Sequence, residues 1–125
     1  MDDKVGAQEP LARFIFSKSH FNLRSRRVRH HAFMPTGGGE TSVFRIEGLD
    51  EDAVWTIGNA VGSQRNQTLY ARGDIKAEAV RSAKLDVLPS EPQRHANIVG
   101  WSSEKSQQKL RAMELAGAAK LETKP

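Results

Sequence analysis

Four arginines and two histidines crowd into eight residues, Arg24-Ser-Arg-Arg-Val-Arg-His-His31, and no acid falls between residues 20 and 35. A guanidinium is permanently charged and presents a planar fork of N–H donors, which suits phosphate and carboxylate oxygens. An imidazole titrates near neutrality and can carry a proton. Arg24, Arg26, Arg27 and Arg29 are therefore candidates for binding an anion or nucleic acid. His30 and His31 are candidates for proton transfer. A second, similar word occurs at Arg94-His95-Ala96-Asn97. If the two words neighbour each other, His95 joins the catalytic candidates and Arg94 the anion-binding ones, in one cleft suited to a phosphoester or nucleotide.

Two further arginines extend this set. Arg45 sits inside the apolar run Val43-Phe-Arg-Ile46, where a charge is unwelcome unless it meets water or an anion. Arg72 follows Tyr70 and precedes Gly73-Asp74, a strand end that can open a pocket. The competing reading for both is structural, with the arginine paired to Asp74 or Glu47. His20 reads as a solvated loop residue.

Other chemistries find little support. The chain has no cysteine, so thiolate nucleophiles, thiolate metal ligands and disulfides are all excluded. No His-x-x-x-His or His-Glu-x-x-His spacing occurs, so we expect no metal and no cofactor. There is no Gly-x-Ser-x-Gly elbow. Thr36-Gly-Gly-Gly-Glu40 lacks the Gly-Lys-Ser/Thr ending of a phosphate loop and reads as a hairpin connection. Glu40 could swing from it as an acid or base. Phe21, Phe33, Tyr70 and Trp101 could stack on nucleobases if exposed.

The elements that must position these residues belong to one domain. The 125 residues fit a single core, expected over 11–121, with a flexible leader at 1–10 and a loose tail at 122–125. No apolar run approaches the roughly 20 residues that span a bilayer, so membrane contact is not expected. The lack of cysteine is compatible with a cytoplasmic location. The net charge of +4 gives a basic surface without naming its partner.

Period-two alternation predicts strands at 11–17, 28–34 and 41–46, with the latter two forming a hairpin around the glycine loop. In the strand at 28–34, His30 and His31 would point to opposite faces. Asp50, with Glu51 and Asp52 in the first turn, predicts a helix N-terminus, and Gly62 its end. A short strand at 68–72, a short helix capped by Asp74, strands near 85–88 and 94–101, and a helix from about 103 to 120 complete the chain. Leu110, Met113, Gly117 and Leu121 make one stripe of that last helix. Its alanines, Ala112, Ala116, Ala118 and Ala119, could pack against the sheet or a second subunit. The fold class expected is α+β: a small two-layer domain, its sheet mixed or mostly antiparallel, with about three helices.

Three functions fit. The first is a basic-surfaced, nucleic-acid-associated binding module. The second is a small enzyme or sensor acting on a nucleotide or phosphorylated ligand through an Arg/His cleft. The third is a protein-interaction or homodimerisation domain. Whether the protein is an enzyme depends on where His30, His31 and His95 stand relative to the arginines.

Overall fold

Alternating apolar residues on β1 (Pro10–Ile15) bury Leu11 and Ile15 on one face of a sheet and Ala12 and Phe14 on the other. A strand that is apolar on both sides belongs inside a sheet, and β1 is central. The computed structural model describes residues 4–125; the first three residues of the expected leader, Met1 to Asp3, lie outside them. After β1 come two very short strands, β2 (Phe21–Asn22) and β3 (Arg27–Val28), which pair as a separate hairpin. Next are β4 (Thr41–Arg45), α1 (Glu51–Arg65), β5 (Ala71–Lys76), α2 (Ala77–Ser82), β6 (Asp86–Pro89), β7 (His95–Val99), α3 (Lys105–Ala118) and β8 (Lys120–Thr123). The main sheet has six strands in the order β6-β7-β4-β1-β5-β8, and every neighbouring pair is antiparallel.

The α+β class, the antiparallel sheet and the three α-helices agree with the sequence reading. Helices pack against both faces of the sheet. β4 and β5 both run antiparallel to β1 and are therefore parallel to each other, joined across β1 by α1. β7 and β8 are likewise parallel to each other, with α3 joining them. Both crossovers step the same way along the sheet, but their strands run in opposite directions. Crossovers of one hand must then place their helices on opposite faces. The core divides accordingly. Val54 and Trp55 of α1 pack with Ala12, Phe14 and Leu69. Val80 of α2 and Ala112 and Leu115 of α3 pack with Leu11, Val43, Ile75 and Ile98.

Local signals explain several ends. Asp50 caps α1, its carboxylate accepting from the Ala53 amide at 2.8 Å. The helix runs past Gly62 to Asn66, which closes it in the left-handed conformation. Gly58 is where α1 meets the sheet: a Cβ there would stand 2.7 Å from the Phe14 ring.

Other elements depart from the sequence reading. Of the 28–34 segment only Val28 is in a strand, as the end of β3; His30–Phe33 coils into a 3-10 turn. β4 pairs with β1 and β7, so no hairpin forms around the glycine loop. Asp74 lies inside β5, and α2 starts after Lys76. Leu121 leaves the last helix for edge strand β8 and is buried there. Val5, in the segment before β1, is 1% exposed and belongs to the core cluster. Ala112 and Ala116 are buried within the chain.

Candidate nucleic-acid interface

The β2–β3 hairpin and the turn that follows it bring the basic stretch to one place. Val28 and Phe33 insert their side chains onto the sheet at Gly73, whose missing Cβ would stand 3.1 Å from Val28 Cγ2 and 3.5 Å from Phe33 Cζ. Distant residues then pin the turn. Arg13 Nε donates to the Ala32 carbonyl at 2.7 Å, and Thr41 Oγ1 to the Phe33 carbonyl at 2.8 Å. The Arg29 amide donates to the His20 carbonyl at 2.8 Å, which draws the loop before the hairpin alongside.

This packing leaves the charged side chains outward. Arg24 and Arg26 ride the exposed hairpin turn, with Arg26 in the left-handed region at φ 58°. Arg27 and Arg29 are also exposed. Among the described residues, the side chains of these four arginines form no ion pair or hydrogen bond. Arg27, Arg29, His30 and His31 form one wall of an open groove of about 510 Å³. The opposite wall is the end of α3, with Met113, Ala116 and Gly117.

The 3-10 turn changes the histidine geometry. Extended backbone would put neighbouring side chains on opposite faces, whereas the turn sets the His30 and His31 rings 3.9 Å apart. His20, expected to be merely solvated, is half-buried with its ring stacked 6.1 Å from that of His31. Burial chiefly, then the nearby His31 and Lys109, push His30 below its ordinary pKa. Burial, then His31 and Arg13, do the same for His20. Both rings are therefore neutral at neutral pH, and the arginines carry the positive charge.

The other candidates do not join this cluster. His95 lies on β7 facing the α1 side, edge-on to the Phe44 ring at 5.2 Å, while His30 and His31 lie on the α3 side. The two Arg-His words therefore share no cleft, because successive strand residues alternate faces and Ala96, not His95, points to the α3 core. Arg45 is bound to Glu9 through Nε and Nη2. Arg72 is 2% exposed, reaches Glu51 at 2.8 Å and Asp74 at 3.0 Å, and lies over the Trp55 ring at 4.7 Å. Arg94 adopts φ 71° and donates to the carbonyls of Arg45 and Glu47. Phe21 and Phe33 are core residues and cannot stack on a base. Glu40 is exposed on its loop.

Sequence reasoning missed Arg13, whose side chain is the main staple under the turn. One signal was available: an arginine in the middle of an otherwise apolar central strand requires a nearby partner. No group of three His, Asp or Glu among the described residues is placed to hold a metal ion. No helix among them is long and apolar enough to cross a membrane. Comparisons with protein-family models, with curated proteins and with solved structures gave no match.

Proposed function

We propose that this protein is a nucleic-acid-associated binding module that contacts phosphates through the hairpin arginines Arg24, Arg26, Arg27 and Arg29. One observation carries the reading: four exposed guanidiniums stand together without a carboxylate partner, beside an open groove. Unpaired surface charge of one sign attracts a polyanion and releases its counterions. The His30 and His31 rings, 3.9 Å apart, border the groove and offer a base aromatic faces to stack on. Such contacts hold a backbone without reading its sequence. The alternative of an Arg/His catalytic cleft is less favoured, since His95 lies on the other face of the sheet from His30 and His31. A phosphorylated small ligand in the same groove is a second reading, favoured by the groove's size.

The test is fluorescence anisotropy with single- and double-stranded oligonucleotides across a salt series. Binding weakens steeply with salt. The variant R24A/R26N/R27A/R29A, with Asn at 26 because that residue tolerates positive φ, lowers the slope of log K against log salt by about 3. Competition by a mononucleotide at comparable concentration favours the small-ligand reading. Absence of salt-dependent binding to either polymer, or an unchanged slope in the variant, overturns the proposal.

A further inference from the structure

The opposite face of the sheet is only half covered. α1 packs over β1, and its Glu51 and Trp55 meet Arg72 of β5, while Leu88 of the outer strand β6 is 51% exposed. Between α1 and the strands β4 and β7 is a hollow of about 340 Å³. Ile57 and Val61 wall it from the helix, Phe44 from the sheet and Pro92 from the loop before β7. Its polar groups are few: Ser42, His95, Gln64 and Arg65. Apolar walls with a few converging polar groups are the usual make-up of a small-molecule site.

The charges around this hollow are unbalanced. The β1–β4 ladder has only two registered pairs, Leu11 with Arg45 and Ala12 with Phe44. Where the strands part, the Arg13 guanidinium takes the place of ladder donors, giving Nη1 to the Ser42 carbonyl at 2.8 Å. Its hydrogen-bond partners are carbonyls alone, and Nη2 has none. Arg65, exposed at the end of α1, has no ion pair among the described residues and lies over the Phe16 ring at 5.6 Å. Arg13, Arg65 and Ser42 together line a small recess adjoining the hollow. Burial first, and repulsion by Arg65 second, lower the Arg13 pKa to about 10. An anion between the two guanidiniums relieves that repulsion.

His95 completes the arrangement. Its Nε2 is 2.5 Å from Ser42 Oγ, while its Nδ1 is buried without a partner. Burying a bare N–H is less tolerable than burying a bare lone pair, so the ring carries its proton on Nε2 and donates to Ser42 Oγ. The serine hydroxyl hydrogen is thereby free to point into the hollow. No acid orients the ring at Nδ1, so the pair lacks the third member of a nucleophilic triad and serves as a donor.

We propose that this hollow binds a small monoanion with a flat apolar body, its head between Arg65 and the Ser42 hydroxyl and its body against Phe44, Ile57 and Val61. The site is independent of the hairpin surface, and either can fail without the other. Benzoate is the probe and benzamide its neutral control, titrated into the full chain and followed by two-dimensional amide and methyl NMR spectra. Benzoate gives saturable shifts at Ser42, Val61 and His95, and binds about tenfold or more tighter than benzamide. Arg65→Gln, at an exposed position without a hydrogen bond, brings benzoate down to the level of benzamide. Lys105→Gln, which removes a charge from the other face, leaves the titration unchanged. No saturable shift at those residues, equal affinity for acid and amide, or indifference to Arg65→Gln overturns the proposal.

Discussion

The arginines of the hairpin and the arginines of the sheet share a charge and have opposite fates. Arg45, Arg72 and Arg94 all have partners within the fold: Glu9, the Glu51–Asp74 pair and two carbonyls. Arg24, Arg26, Arg27 and Arg29 have no such partners. A guanidinium drawn into a sheet loses hydration, and only a carboxylate or carbonyl at hydrogen-bond distance offsets the loss. The sheet supplies these, because acids from the segment before β1, from α1 and from β5 converge on it. The hairpin lies outside the sheet in a stretch without acids, so its charge stays in water and remains available. The distinction between a structural and a binding arginine is thus made by what the surrounding chain delivers to it.

The largest test of this contrast is Arg72→Ala. It leaves Asp74, whose pKa burial already raises, without its cation, and destabilises the fold by about 3 kcal/mol in a urea titration. A loss below about 0.5 kcal/mol, the usual range for surface changes, would place Arg72 with the hairpin arginines. Arg45→Ala follows at about 2 kcal/mol, less because that pair is partly exposed.

The same pair sets an acid limb. The hydrogen bond from Arg45, outweighing burial, holds the Glu9 carboxyl below its ordinary value of 4.5. A group depressed in the folded state contributes stability above its unfolded value, and that contribution disappears as pH falls through the folded one. Glu9→Gln therefore lowers stability at neutral pH and flattens its decline below about pH 4.5. An unchanged acid limb, read from denaturation midpoints against pH, would remove Glu9 from the structural set.

The hairpin side of the comparison predicts effects on binding without effects on folding. R24A/R26N/R27A/R29A shifts stability by less than about 0.5 kcal/mol while reducing salt-dependent polymer binding. The smallest effect belongs to the imidazoles. His20 and His30 have lowered pKa values in the folded protein, so their contribution to stability is full above the ordinary histidine range and declines as pH falls through it. Protonation of His30 in the groove and of His20 beside His31 adds charge there, so polymer affinity rises as pH falls through their lowered folded values. H20Q/H30Q flattens both trends; a pH profile of binding unaltered by it would separate the histidines from the interface.

Much of the fold was legible because it is local. The alternation in β1, β4 and β7, the Asp50 cap of α1 and the amphipathic stretch of α3 each follow from a few neighbouring residues. So does the density of positive charge at 24–31. The 28–34 segment carries equally strand-like residues, yet it turns at His30, where Arg13 and Thr41 hold its carbonyls and, among the described residues, strand pairing stops at Val28. Which arginines are bound, which histidines meet and which face His95 occupies were settled by strand order and by two crossovers on opposite sides of the sheet. Sequence alone determined the chemical inventory and the local elements, since propensity and capping act over a few residues. Tertiary structure decided the neighbours of each charge, because those neighbours come from positions tens of residues apart and are selected by the topology of the sheet.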